Sequence, residues 1–303
     1  MPQGRRSPRP ISILDSMIRP TILVIGARGQ LGFELSRLLP EYGEVTALDR
    51  SQLDLADADA IRATLRSRRP ALIVNAAAYT AVDKAEHERE AAEAINARAP
   101  GLLAEEAKKL DALLVHYSTD YVFDGAATAP YTEDAPANPL SVYGASKLSG
   151  EQAIAASGCR YLVLRTSWVY GLRGHNFLLT IRRLARERDE LRIVADQFGV
   201  PNWSRAVAEA TNTLVGCGLR ALRERAGLYH LSAPGSTSWF EFARAIIGLV
   251  DKPRLLPITT AEYPTAARRP AYAVLDSGKL ERVFGLTLSD WRETLARCLA
   301  SAT

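Results

Sequence analysis

Seven residues, Gly26-Ala27-Arg28-Gly29-Gln30-Leu31-Gly32, constrain this 303-residue chain more than any others. They follow directly on Thr21-Ile22-Leu23-Val24-Ile25, a β-branched apolar run that reads as a buried parallel strand. After them Leu31, Leu35, Leu38 and Leu39 share one helical face up to Pro40. Glycines at this spacing between a strand and a helix suit a dinucleotide. Gly26 permits the tight turn, Gly29 lets backbone approach a pyrophosphate, and Gly32 lets the helix pack on the strand. The amides at the helix N-terminus then face the anion. Asp49 ends the next strand-like run, Val45-Thr46-Ala47-Leu48, and lies 23 residues beyond Gly26. A ribose-binding acid is expected at about 20. Asp49 would accept bonds from a free 2′-hydroxyl and repel a 2′-phosphate, whereas Arg28 or Arg50 would pair with that phosphate. The two signals oppose each other, so the expected cofactor is NADPH or NADH.

Strand-like and helical runs continue to alternate. Leu72–Asn75 is a third strand introduced by Pro70, and Leu113–His116 a fourth; Tyr161–Leu164 is a fifth. Ile61 and Leu65 mark one intervening helix. Glu88 to Leu110 marks another, with an interruption expected at Pro100-Gly101, and Val142 to Ala156 a third. These intervals suit right-handed crossovers, and the expectation is an α/β, doubly wound, parallel (Rossmann-like) sheet. Beyond residue 170 the rhythm loosens. Helices are expected near residues 176–188 and 207–222, a strand at Leu228–Leu231, and Pro/Thr-rich loops over residues 256–270 before a last helix. The division expected is a dinucleotide-binding core over residues 21–170 and a smaller C-terminal substrate lobe over residues 171–303, interleaved with the last core strands.

Composition removes several function classes. Hydrophobic residues are 47% and charged residues 24%, as in an ordinary globular protein. Cys159, Cys217 and Cys298 are far apart, with no Cys-x-x-Cys to hold zinc. No apolar run reaches the ~18 residues of a membrane span. The net charge of +4 is concentrated at the start, where Arg5, Arg6, Arg9 and Arg19 face only Asp15. The rest is nearly neutral, so no nucleic-acid partner is expected. Residues 1–20, with four prolines and a second methionine at Met17, read as a disordered leader or a mis-called start. The expected location is the cytoplasm, with a homodimer left open. His87, His116, His175 and His230 show no metal-ligand spacing, and each reads as structural or exposed.

Tyr143-Gly144-Ala145-Ser146-Lys147 places a phenol and an ammonium at i and i+4 on one helical face. A nearby cation stabilises phenolate and would lower the tyrosine pKa from ~10, making it a workable general acid or base. Thr119 ends the fourth strand, at the edge where doubly wound sheets bind ligands, and could hold a carbonyl oxygen. The glycine turn, Thr119, Tyr143 and Lys147, in this order, resemble the short-chain dehydrogenase/reductase superfamily of extended type.

Longer segments sharpen the resemblance to the dTDP-4-dehydrorhamnose reductases: Asn75–Glu86, His116–Gly125, Arg165–Gly171, Asp196–Pro201 and Ala267–Pro270. That resemblance implies reduction of the 4-keto group of a dTDP-sugar, dTDP-4-dehydro-L-rhamnose. Tyr143 would protonate the oxygen, Lys147 would hold the nicotinamide ribose, and Thr119 and Asp120 would face the sugar. Trp168 would line the sugar pocket. From their own chemistry, Arg268 and Arg269 in the loop-rich lobe could equally pair with the diphosphate or form a structural salt bridge. Gln30, Leu31, Asp54 and Leu55 would contact the cofactor, as would Ala77, Ala78 and Tyr79. Two departures stand out. Asn202 follows Pro201 where the family usually has threonine. Arg205 stands where some members carry a glutamate that helps bind a divalent metal between subunits, although Glu34 remains. No metal is expected, because a cation does not ligate a cation. The competing readings are a ketoreductase for another deoxysugar, a dehydratase or epimerase, and a cofactor-binding regulatory subunit resembling that of methionine adenosyltransferase. Dehydratases place a glutamate after Ser-Thr-Asp, where this chain has Tyr121.

Overall fold

The computed structural model describes residues 19–248 and 253–302. Six strands form one parallel sheet: β1 (Thr21–Ile25), β2 (Glu44–Leu48), β3 (Leu72–Asn75), β4 (Leu113–Thr119), β5 (Arg160–Thr166) and β6 (Gly227–His230). Their order across the sheet is β6-β5-β4-β3-β1-β2. β1 pairs with β2 on one side and β3 on the other, Ile25 lying level with Leu48 and Asn75. The chain therefore reverses its direction of travel beside β1. A crevice opens there at the carboxyl ends of β1 and β3, where such sheets take ligands.

The central strands β1 and β3 are almost wholly apolar because both their faces are covered. Ile22, Val24 and Val74 enter the cluster shared with Leu31, Leu35 and the C-terminal helices. Leu23, Ile25 and Ile73 point the other way, onto Ile61, Leu65 and Leu103. This strict alternation is the two-residue period of a strand resolved into two cores. Among the described residues, no helix is long and apolar enough to cross a membrane.

Several expectations need correction. The helical stretch before β4 is not interrupted at Pro100-Gly101. Arg89–Glu93 runs through a wide turn at Ala94–Arg98 into the helix Ala99–Leu110. Pro100 sits in the first turn of that last helix, where a missing N–H costs least. The widened turn lies one turn earlier, around Asn96, whose carbonyl has no N–H four residues on. The expected helix over 207–222 is two, Ser204–Gly216 and Leu219–Glu224, parted at Gly218 with φ +89°. The loops expected from residue 256 begin with a strand, Arg254–Ile258, paired with Glu190–Val194. Pro257 is tolerated because a two-stranded ribbon leaves each strand one free edge. The leader expectation lies outside the described residues except for Arg19 and Pro20. The Pro20 carbonyl accepts from Glu44 N at 2.9 Å, so it belongs to the sheet margin.

The helix that carries Tyr143 and Lys147, Val142–Ser157, is locked to β5 by a buried ion pair. Arg165 Nε and Nη2 donate to the two Glu151 oxygens at 2.9 and 2.6 Å, with the side chains only 4% and 8% exposed. Removing one partner strands the other charge, which typically costs ~3–5 kcal/mol. Glu151→Ala is therefore expected to lower unfolding stability by about that amount. Urea titration checks this; a loss below about 1 kcal/mol would mean the pair is not what holds the helix.

Candidate active site

At the N-terminus of the Gln30–Leu38 helix the glycine turn forms a cradle. Gly26 has φ +89°, and a Cβ there would lie 2.8 Å from Ala77 N; a Cβ on Gly32 would lie 2.1 Å from Gly26 O. The turn thus abuts the segment after β3, and Gly29 caps the helix with no side chain in the way of its amides. A crevice of about 690 Å³ opens from it. Of the expected cofactor contacts, Gly26, Gly29, Gln30, Leu31, Asp49 and Asp54 line it. Leu55, Ala77, Ala78, Tyr79, Tyr143 and Lys147 do so too, whereas Gly32 packs beneath. A backbone-lined cradle at a helix N-terminus with a carboxylate at the next strand end fits a dinucleotide.

Asp49 is held ionised below its usual range, chiefly by the Ser51 hydroxyl and also by Arg28. Ser51 donates to Oδ1 at 2.5 Å, and Arg28 Nε lies 2.8 Å from Oδ2. Arg28 is 84% exposed and free to swing toward a second anion.

Tyr143 enters on the first turn of its helix. Ser141 caps that turn by accepting from Gly144 N at 3.2 Å, and Glu86 accepts from Val142 N at 2.9 Å. Only glycine fits at 144, because a Cβ would meet Tyr121 O at 2.2 Å. This close approach brings the Tyr143 phenol within hydrogen-bonding reach of Thr119 and sets its ring edge-on to Tyr121, centroids 5.6 Å apart. Thr119 Oγ1 also accepts from Tyr121 N at 3.2 Å and donates to Asp120 Oδ1 at 3.0 Å.

The expectation that Lys147 lowers the tyrosine pKa is not met. Burial dominates and pushes Tyr143 up to about 12; the Thr119 bond opposes this and the Asp120 charge adds to it. The lysine is engaged elsewhere, donating to Tyr117 O at 2.6 Å, with His116 Nε2 3.1 Å away. A phenol kept protonated suits an acid better than a base.

Four buried oxygens gather at the carboxyl ends of β4 and β5. Ser118 Oγ, Thr166 Oγ1 and Asp120 Oδ2 lack partners among the described residues, beside Thr119 Oγ1. Buried orphans of this density mark a place for a polar ligand. Trp168 is held at φ +42°, a strained value for a side-chain-bearing residue, with its indole stacked on Trp239 at 3.5 Å and seated against Gly199. Arg268 is exposed on its loop, while its neighbour Arg269 pairs with Asp83 at 2.7 Å.

Three groups have roles that the sequence reading did not assign. The Asn202 amide is buried, donating to Ser167 O and Val200 O at 2.9 and 3.0 Å and accepting from Ala233 N at 2.7 Å. It staples the Trp168 turn and is 1% exposed. Asn96 bonds both backbone groups of Tyr79, at 2.8 and 3.0 Å, and Ser146 Oγ at 3.1 Å, tying the cofactor loop to the Tyr143 helix. An asparagine four residues before a proline in an alanine-rich helix was the available signal. Asn75 and His116 form the third group, beneath Lys147. Arg205, in turn, lies between Glu34 and Glu209, at 3.1 and 3.0 Å.

Comparison with known proteins follows the same lines. The family described as RmlD substrate binding domain matches residues 20–303. A dTDP-4-dehydrorhamnose reductase of Burkholderia thailandensis is 45% identical, over 92% of this chain and 97% of that protein. One from Escherichia coli is 41% identical, over 92% and 96%. The crystal structure of a dTDP-4-dehydrorhamnose reductase from Bacillus anthracis, in complex with NADP, superposes with a TM-score of 0.86 at 36% identity, covering 94% of this chain and all of that one.

Burial raises the Asp120 carboxyl to about 7. Its folded pKa thus exceeds the unfolded value, the folded state binds the extra proton, and stability falls as pH rises from about 4 to 7. Asp120→Asn abolishes that loss. Its stabilising effect over the unmodified chain is expected to be roughly 1–3 kcal/mol larger at pH 8 than at pH 5. Urea unfolding at both values measures it, and an equal effect at the two would place the carboxyl in a solvated environment.

Proposed function

The chain belongs to the RmlD substrate binding domain family, and we propose that it reduces the 4-keto group of dTDP-4-dehydro-L-rhamnose to give dTDP-L-rhamnose, with NADPH or NADH. The observation that carries this reading is the meeting of Thr119, Tyr143 and the unpartnered oxygens of β4 and β5 beside the dinucleotide crevice.

The bound cofactor supplies the hydride. Thr119 turns its one hydroxyl proton from Asp120 Oδ1 to the ketone oxygen, and Tyr143 donates the phenolic proton to that oxygen as the carbonyl carbon is reduced. The raised pKa keeps Tyr143 protonated until an alkoxide, a far stronger base, forms beside it. Lys147, at the crevice floor, binds the ribose and returns a proton toward Tyr143. Asp120 and Trp168 flank the sugar, and the residues beyond 170 supply the far wall, with Arg268 at its rim for the diphosphate. Asp49 takes the ribose hydroxyls of NADH; with NADPH, Arg28 turns from Asp49 to the 2′-phosphate. Tyr121 offers no carboxylate for an elimination, which weighs against a dehydratase. The reaction needs no membrane and draws on reduced nicotinamide cofactors, so we place it in the cytoplasm.

Tyr143→Phe removes one oxygen and keeps the ring. Turnover is expected to fall ~10²–10⁴-fold, while the dissociation constant for NADPH stays within about threefold and thermal stability is retained. Steady-state kinetics and fluorescence titration check both. A rate within about threefold of the unmodified chain would remove Tyr143 from the role of acid.

A further inference from the structure

Beneath Lys147 lies a buried histidine that the mechanism does not use. His116 and Asn75 are each 1% exposed, and four groups stand in line. Ala77 N is 3.2 Å from Asn75 Oδ1, Asn75 Nδ2 is 3.1 Å from His116 Nδ1, and His116 Nε2 is 3.1 Å from Lys147 Nζ. The direction of this chain is fixed at its start. A backbone N–H can only donate, so the Asn75 atom facing it is the oxygen, and the amide nitrogen then donates to His116 Nδ1. Nδ1 must be bare. Burial, and after it the Lys147 charge, holds His116 well below its usual pKa, so the ring is neutral and its single proton sits on Nε2.

That proton points at Lys147. A neutral amine can accept it through its lone pair while donating to Tyr117 O at 2.6 Å. An ammonium has no lone pair and meets the Nε2–H as donor against donor. The geometry points to Asn75 and His116 as positioning residues that hold Lys147, through a one-way hydrogen-bond chain from the Ala77 amide, in a setting that favours its neutral amine over its ammonium. This rests on the proposed role of Lys147. Burial acts in the same direction, and the lysine is lowered to about 8, with Glu151 opposing.

The other charged and titratable neighbours leave this arrangement in place. On the same helix Glu151 is committed to Arg165 of β5, and Tyr143 is neutral. On β4 Tyr117 is neutral, its hydroxyl bonded to Thr211, and Asp120 follows at the strand end. From the segments after β3, Lys84 and Glu88 line the same crevice, and Glu86 is bound to Val142 N. Lys108, on the Ala99–Leu110 helix, lies by Gly158 at the far end of the Tyr143 helix. A lysine poised near neutrality can take up and release a proton each cycle beside a tyrosine that must be reprotonated. The chain begins at Ala77, in the crevice wall, so it also couples the cofactor loop to that lysine.

The test reads the protein without cofactor or substrate, so it stands apart from turnover. Long-range proton–nitrogen NMR of the unmodified chain is expected to find His116 neutral from pH 6 to 9, with the proton on Nε2. In Asn75→Asp, a carboxylate oxygen replaces the donor, and the proton is expected to move to Nδ1. In His116→Gln, which offers an oxygen to the ammonium, the Lys147 titration followed by side-chain carbon NMR is expected to rise by about one pH unit. The alkaline limb of kcat/KM should move with it. A proton on Nδ1 in the unmodified chain overturns the proposal without any variant. So does an unchanged Lys147 midpoint in folded His116→Gln. Loss of turnover in the unmodified chain would instead count against the catalytic reading while leaving the NMR result intact.

Discussion

The contact on which the site depends is the seating of the Val142–Ser157 helix against the ends of β4 and β5. Two forces set it. Glycine at 144 allows the first turn to reach the Tyr121 carbonyl, and the buried Glu151–Arg165 pair fixes the second half of the helix to β5. Without the close approach Tyr143 would stand off from Thr119, and the ion pair adds to the Asn96–Ser146 and Lys147–Tyr117 bonds that fix the rotation of the helix. Because Tyr143 and Lys147 share one face, a single seating aims both. The sheet supplies the other half of the arrangement, since its reversal beside β1 opens the dinucleotide crevice next to that face.

Local pattern carried the parts of this design that are local. The glycine cradle, Asp49 at the end of β2, and the i, i+4 spacing of Tyr143 and Lys147 are short-range signals, and the corresponding strands and helices appear within a few residues of their expected bounds. What the chain's pattern could not carry is burial and long-range pairing. The acidity of Tyr143 is governed by its desolvation, not by its helical neighbour, because Lys147 is drawn down to Tyr117 O and His116. Asn202 looked like a departure at a substrate contact; its amide is spent on the backbone around Trp168. Asn96 makes its bonds to residues 17 positions before and 50 after it, separations at which sequence spacing holds no information.

The residues read from the sequence as departures from the family pattern find physical explanations of the same kind. Arg205 does not leave Glu34 facing an uncompensated charge, because its guanidinium bridges Glu34 and Glu209, and Arg297 reaches Glu209 at 3.0 Å. Some of the strain and unsatisfied polarity among the described residues lies where the sugar is proposed to bind. The positive φ of Trp168, the orphaned oxygens of Ser118 and Thr166, and the raised carboxyl of Asp120 all reduce stability in the free protein. Such costs are the expected signature of a pocket preorganised for a polar ligand.

The central claim is the identity of the reaction, and isotope transfer tests it most directly. Purified protein is incubated with dTDP-4-dehydro-L-rhamnose and NADPH deuterated at its transferable position, and the product is read by proton and deuterium NMR. The expected product is dTDP-L-rhamnose carrying one deuterium at C4, formed in proportion to the NADPH oxidised. Folded, NADPH-binding protein that yields no deuterated rhamnose would contradict it.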